Sequence, residues 1–285
     1  MRYVLYNPLA NSGKGAEEAQ NLRDICKNDE LNFMDVTRIE NIEALLDRLG
    51  EGDNVILCGG DGTINVFVNK VSEEYLKKID IYYYSTGTGN DFINDLGTKK
   101  EDEPILINKY IVDLPTCEID GKTYKFINGI GYGIDGYCCE VGDKQRAEGA
   151  KEINYTSIAI KGLLFHFKPT NAKITVDGET TEYKKVWLAP TMNGRFYGGG
   201  MIPTPNQDRL SADKTVSVMV YHGVGKLKAL IVFPSIFKGE HIKKKEMITV
   251  ITGHDITVEF DKPTAAQVDG ETILNVTKCH IRKPA

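Results

Sequence analysis

The chain has 285 residues, with 35 lysines and arginines against 40 aspartates and glutamates and a formal net charge of −5. At roughly 100–200 residues per domain, two domains are expected, and the mild acidity argues against a broad nucleic-acid-binding face. No apolar run reaches the roughly 18 residues that a transmembrane helix needs, and the opening MRYVLYNPLANSGKG lacks the apolar core of a secretory signal.

Strands and helices alternate through the first third. YVLYN is a short β run, and from Lys14 a helical pattern places Ala16, Ala19, Leu22 and Ile25 about three apart. NFMDVT reads as a second strand, followed by a helix on Ile42, Leu45, Leu46 and Leu49 that stops at Gly50 and Gly52. NVILC is a third strand, apolar enough to be buried on both faces as parallel sheets require. A helix on Ile64, Phe67, Val68 and Val71, the strand IDIYYYS and the short helix NDFINDLG complete a βαβαβαβα order, which implies a parallel sheet covered by helices.

After about Val112 short β-like runs dominate: CEIDGKTYKFING, AKITVDGETTEYKKVWLAPTM, TVSVMVYHG, MITVITGHDITVEF and ILNVTKCHIRK. DGK and DGE are hairpin signals, so an antiparallel sandwich or barrel is expected, interrupted by helical segments near Asn154–Phe167 and Lys226–Phe237. The boundaries are placed at 1–113 for the α/β domain and 114–285 for the β-rich one, with the extreme C-terminus a candidate to pack back on the first. The six cysteines, Cys26, Cys58, Cys117, Cys138, Cys139 and Cys279, form no CxxC pair and no cluster with histidine. Buried reduced thiols are expected rather than a zinc site or a disulfide framework.

Three glycine-bearing turns follow three strands: NPLANSGKG, GGDGT and STGTGND. In a parallel sheet such turns share the carboxyl edge, where ligands bind. Together they favour a polyphosphate site built from backbone amides and helix N-termini. Walker A does not fit, because no Ser or Thr follows Lys14, and the Rossmann glycines are absent between the first strand and helix. Asp61 in GGDGT either manages the cation that accompanies phosphate or caps a helix.

NPLANSGKG, GGDGT and GTGNDF, in this order, resemble the catalytic domain of the diacylglycerol kinase family, which includes bacterial soluble lipid kinases and sphingosine kinases. NGIGYGID, MNGRFYGGGMIPTP and QVDGE extend the resemblance over nearly the whole chain. GGDGT alone is also similar to NAD kinases and some phosphofructokinases. The resemblance implies an α/β nucleotide-binding domain of NAD-kinase and diacylglycerol-kinase type, a mainly antiparallel β-sandwich domain, and an active site in the cleft between them. It implies a lipid kinase, most simply for diacylglycerol, that uses ATP and Mg2+. Alternatives are an NAD-kinase-like enzyme and a catalytically silent lipid- or nucleotide-binding regulator.

By resemblance, Asn7, Ser12, Gly13 and Lys14 form the first nucleotide loop. Gly59, Gly60, Asp61, Gly62 and Thr63 form the second, Gly87, Thr88, Gly89, Asn90 and Asp91 the third, and Glu271 joins the cofactor-binding set. Asp269 resembles the general base and Asp135 its carboxylate neighbour. Asp61 and Asp91 are expected to bind magnesium, an ion that takes one or two carboxylates plus phosphates, and phosphoryl transfer needs mainly positioning and charge neutralisation. The family often has a proline at the position of Ser85 and an arginine at that of Asn94. Its L-D-D-G turn, which helps hold a structural magnesium, is replaced here by DRLSADKTVSV, with Asp213 the nearest carboxylate.

A soluble lipid kinase must reach the bilayer. The stretch Lys226–Lys245 reads as an amphipathic helix with Leu227, Leu230, Ile231 and Phe237 on one face and lysines beyond. It also reads, preferentially, as a core helix with solvated lysines, shortened or kinked at Pro234. NYTSIAIKGLLFHF, apolar almost all round, is expected to cap the lipid pocket or pack in the core. The expected partners are a lipid at a membrane surface and no nucleic acid, with a homodimer left open. The expected location is the cytoplasm, peripheral at the inner face of the membrane.

Overall fold

The computed structural model describes residues 1–87, 90–98, 103–150 and 153–284. They form two compact units, Met1–Leu114 and Pro115–Ala285.

The first unit is built on a five-stranded sheet of order β2-β1-β3-β4-β5. Its strands are β1 (Arg2–Tyr6), β2 (Leu31–Asp35), β3 (Asn54–Gly59), β4 (Ile81–Ser85) and β5 (Ile105–Leu106). The first four run parallel, with Val4 opposite Ile56 and Ile56 opposite Tyr82. Every residue of β3 from Val55 to Gly59 is buried, as a central parallel strand covered on both faces should be. The Asp61–Lys70 helix lays Ile64, Phe67 and Val68 into the core at helical spacing. Two features depart from the sequence expectation. β5 runs antiparallel to β4 and is only two residues long, too short to leave a pattern. The first helix is broken into Ala10–Gly13, Gly15–Ala19 and Leu22–Ile25, and within the first piece Asn11 and Ser12 adopt φ of 49° and 55°, in the left-handed region.

The second unit is a ten-stranded antiparallel sheet, β6 (Thr116–Ile119) through β15 (Glu271–Arg282). Between these lie β7 (Lys122–Lys125), β8 (Gly129–Tyr132), β9 (Thr170–Val176), β10 (Glu179–Val186), β11 (Thr191–Met192), β12 (Val216–Tyr221), β13 (Ile248–Gly253) and β14 (Asp255–Val268). The main path is β13-β12-β11-β8-β14-β15-β6-β7. β14 holds the unit together. Its first half pairs with β9, its last three residues with β8, and its length with β15. Asp120–Gly121, Asp177–Gly178 and Asp269–Gly270 all take positive φ between paired strands, the two-residue hairpin geometry that Asp-Gly suits. The core between the strands includes Ile130, Tyr132, Val186, Val218, Val258 and Ile281.

A 14-residue helix, Ile134–Ala147, follows β8 where the sequence suggested only a glycine-rich turn. Gly136 and Gly142 dilute its helical signal, yet both are needed. A Cβ at Gly136 would lie 1.9 Å from the Ala265 carbonyl oxygen, and one at Gly142 2.9 Å from the Tyr155 ring. A second correction concerns the thiols: Cys117 on β6 and Cys279 on β15 form a disulfide, with Cα atoms 6.4 Å apart. The register sets Cys117 opposite Ile281, which makes Cys279 its diagonal neighbour on one face of the sheet. Cys26, Cys58, Cys138 and Cys139 remain free. The last strand lies inside this unit, and Lys283 beyond it donates to Asn193 Oδ1 at 2.9 Å and to the Arg209 carbonyl at 2.8 Å. Among the described residues no helix is long and apolar enough to cross a membrane.

Candidate active site

In the first unit the three turns converge. β1 ends at Tyr6, and the Asn7 side-chain amide donates to Thr63 Oγ1 at 3.3 Å, tying the first turn to the second. A Cβ at Gly15 would lie 2.1 Å from the Asn7 carbonyl oxygen, so the Gly15–Ala19 helix piece begins hard against the strand end. The backbones of the turns after β3 and β4 touch. A Cβ on Gly87 would sit 2.4 Å from Gly60 Cα, and the amides of Thr86 and Gly87 both donate to the Gly59 carbonyl, at 2.9 and 3.2 Å. Ser12, Gly13 and Lys14 are exposed beside this edge of β1, and Thr63 is buried.

Asp61 is the first residue of its helix and Gly60 its N-cap. The carboxylate caps a different helix. Asp61 Oδ2 accepts from the Asp91 amide at 2.9 Å, and both oxygens lie 3.4 Å from the Phe92 amide. It therefore brings the GGDGT turn to the start of the Asp91–Leu96 helix, where negative charge is favoured. Asp91 itself is buried. Two carboxylates at one helix start suit a magnesium that takes its remaining ligands from phosphates and water. Asn90 is held by the Ser85 hydroxyl at 2.5 Å, so the serine at the family's proline position has a partner here, while Asn94 is exposed. Thr88 and Gly89 lie outside the described residues.

In the second unit Gln267 links Asp135 to the turn that carries Asp269, through the amide of Gly270. Asp135, buried near the start of its helix, accepts from Gln267 Nε2 at 2.8 Å, and Gln267 Oε1 accepts from the Gly270 amide at 2.6 Å. Gly131 makes room for this carboxylate, because a Cβ there would fall on Asp135 Oδ2. Asp269 occupies the β14–β15 turn at φ 46°. Its carboxylate accepts from the amides of Ile127 at 2.5 Å, Asn128 at 2.9 Å and Gly129 at 3.0 Å. Backbone donors thus fill three of the roughly four acceptor positions of a carboxylate. Glu271 is exposed and pairs through its backbone with Val268. Gln267 was not singled out in the sequence. Its signal was its place in QVDGE, two residues before Asp269.

The segment 127–129 is also gripped from below by cations. Arg209, buried, donates to the Ile127 carbonyl at 3.2 Å and to Asn128 Oδ1 at 3.1 Å, and Asn193 Nδ2 donates to the Ile127 carbonyl at 3.0 Å. Lys283, also buried, joins through Asn193. This corrects the metal expectation at Asp213. That residue is exposed on a turn, the interior near its loop carries Arg209 and Lys283, and no group of three or more His, Cys, Asp or Glu among the described residues is arranged to hold a metal ion. The residues present do not fit a structural magnesium there.

A cavity opens between the Ile134–Ala147 helix and the β14–β15 hairpin. Tyr137, Glu140, Phe167, Pro263, Ala265 and Leu274 line it.

Residues 2–116 match the family model described as diacylglycerol kinase catalytic domain, and residues 128–284 match that described as YegS C-terminal NAD kinase beta sandwich-like domain. A Bacillus subtilis protein named "Putative lipid kinase YtlR" is 25% identical over 235 residues, which cover 76% of this chain and 73% of that protein. A Mycobacterium tuberculosis protein named "Diacylglycerol kinase" is 26% identical over 258 residues, covering 86% of this chain and 81% of its own. In fold the chain is similar to a solved structure titled "Crystal structure of a putative diacylglycerol kinase from Bacillus anthracis str. Sterne". The TM-score is 0.67 at 20% identity, with 99% of this chain and 91% of the other covered.

Proposed function

This chain belongs to the diacylglycerol kinase catalytic-domain family, with a YegS-type β-sandwich domain after it, and from that premise we propose that it transfers the γ-phosphoryl group of ATP to the hydroxyl of a membrane lipid. The supporting observation is the convergence of three glycine-bearing turns at the carboxyl ends of β1, β3 and β4. Close backbone approach of this kind is what a polyphosphate requires.

The loops of Asn7 and Ser12–Lys14, Gly59–Thr63 and Gly87–Asp91, with Thr88 and Gly89 in the last, bind the nucleotide. Asp61 and Asp91 would hold magnesium with the phosphate oxygens, where the ion neutralises charge on the transferred group. A lipid hydroxyl is a weak nucleophile and needs a positioned proton acceptor. Asp269 has that role, because its amide bonds fix where its oxygens lie. Asp135 influences it through Gln267. Diacylglycerol is the acceptor proposed first, and the protein works at the cytoplasmic face of the membrane.

The test is turnover of labelled ATP with a total lipid extract, set beside NAD, followed by mass spectrometry of the phosphorylated products. A phosphorylated lipid that disappears with Asp61→Ala, in a variant that melts like the parent, supports the reading. Phosphorylated NAD alone, or unchanged turnover in Asp61→Ala, overturns it.

A further inference from the structure

The three most exposed large apolar side chains of the second unit are Phe165, Leu227 and Ile231, at 70, 72 and 77%. Leu227 and Ile231 stand one turn apart on the short Lys226–Val232 helix, which buries Ala229 and Val232 instead. Phe165 is on the single π-helical turn Gly162–His166. The two elements are joined, because Lys226 Nζ donates to the Leu164 carbonyl at 3.1 Å. Their apolar undersides share one core through Leu163, Ala229 and Val232. Ile160 and Phe237, on the helices directly before and after these two elements in sequence, are half-exposed.

We propose that this surface docks the second unit onto an anionic lipid bilayer. Charge selects the occupant. Residues 160–168 and 225–238 carry five lysines and no aspartate or glutamate, within a chain of net charge −5. Large apolar side chains ringed by lysines enter the boundary between headgroups and acyl chains, while the lysines meet lipid phosphates. A second copy meeting the same surface would set lysines against lysines. Of these five lysines, Lys228 lies 3.8 Å from Glu246, and beyond them Lys243 lies 3.9 Å from Glu240, so both pair with carboxylates at the margin of the surface. The purpose of the docking rests on the lipid-kinase reading, and its physical basis does not.

The experiment is co-sedimentation with phosphatidylglycerol-containing and with pure phosphatidylcholine vesicles, without nucleotide. Leu227→Ser combined with Ile231→Ser should weaken binding to anionic vesicles at least about tenfold, and salt should weaken the parent's binding. Neither substitution should move the melting temperature, since both side chains lie outside the core. Turnover on short-chain lipid in detergent should stay at the parent's level. An environment-sensitive dye on Ile231→Cys should shift to the blue only with anionic vesicles. Equal vesicle binding by parent and variant overturns the proposal. So does a parent that ignores vesicles, or a dimer in solution that the two substitutions split. Vesicle binding lost in the variant, with no lipid phosphorylated by the parent, would leave the docking standing and remove the kinase reading instead.

Discussion

Asp269→Asn tests whether one carboxylate both anchors and reacts. The substitution keeps the size of the side chain and replaces one oxygen with an amide nitrogen. If the remaining oxygen stays on the amides of Asn128 and Gly129, the new NH2 faces the amide of Ile127, donor against donor. One hydrogen bond to a charged acceptor is lost, the other two become neutral, and a part-buried amide is left without its partner. After allowing for the partial exposure of the turn, a loss of about 2–4 kcal/mol is expected. For a unit of this size that lowers the melting temperature by roughly 4–16 °C. Turnover, measured well below the melt and corrected for folded fraction, should fall about 10²–10⁴-fold while ATP affinity holds. Calorimetry and single-turnover kinetics read the two effects separately. A variant that melts with the parent refutes the anchor, and one that turns over at the parent's rate refutes the base.

Gly87→Ala should destabilise the first unit by about 1–3 kcal/mol and weaken ATP binding, because its Cβ would meet the backbone of Gly60 at 2.4 Å; titration calorimetry would check this, and unchanged affinity would contradict the contact between the turns. Burial lowers the pKa of His241 below its usual 6.5, although its Nε2 bonds to the Pro203 carbonyl. The unfolded chain therefore takes up this proton first as pH falls, so the stability contribution is complete above about 6.5 and is lost as pH drops below it. Melting curves of His241→Gln should be flatter than the parent's across that window, and an equal slope would count against the assignment. A chelator should leave the nucleotide-free melting temperature unchanged, because Asp213 is exposed on a turn and no group of three or more His, Cys, Asp or Glu among the described residues is arranged to hold a metal ion, whereas a fall on adding the chelator would contradict this.

The alternation of strands and helices in the first unit was legible because each element carries its own period. The Asp-Gly hairpins were legible because the dipeptide states its backbone conformation locally. The Ile134–Ala147 helix was hidden by glycines whose reason lies elsewhere, at the Ala265 carbonyl and the Tyr155 ring. The disulfide depends on strand register between residues far apart in sequence. In the site, the convergence of the three turns followed from the parallel sheet. The links made by Gln267, Arg209 and Lys283 did not, since a polar residue's partner is set by the tertiary fold. Helical spacing grouped Leu227, Leu230, Ile231 and Phe237 on one face; Leu227 and Ile231 do share an exposed face, while Leu230 packs against the core, because period alone does not state which face is buried. The small Ala229 points inward because the helix packs close there.

The strand order of the second sheet has a consequence for biosynthesis. β6 and β7 join the rest of the sheet through β15 alone on its main path, and Cys117 meets Cys279 across 162 residues of chain. At a ribosomal rate of about 5–20 residues per second, that hairpin waits roughly 8–30 s for its neighbour to emerge. The parallel core of the first unit needs only residues 2–85 and closes early. For that interval the nascent protein presents an unpaired strand edge with the Cys117 thiol still without Cys279, the kind of exposed edge that chaperones exist to shield.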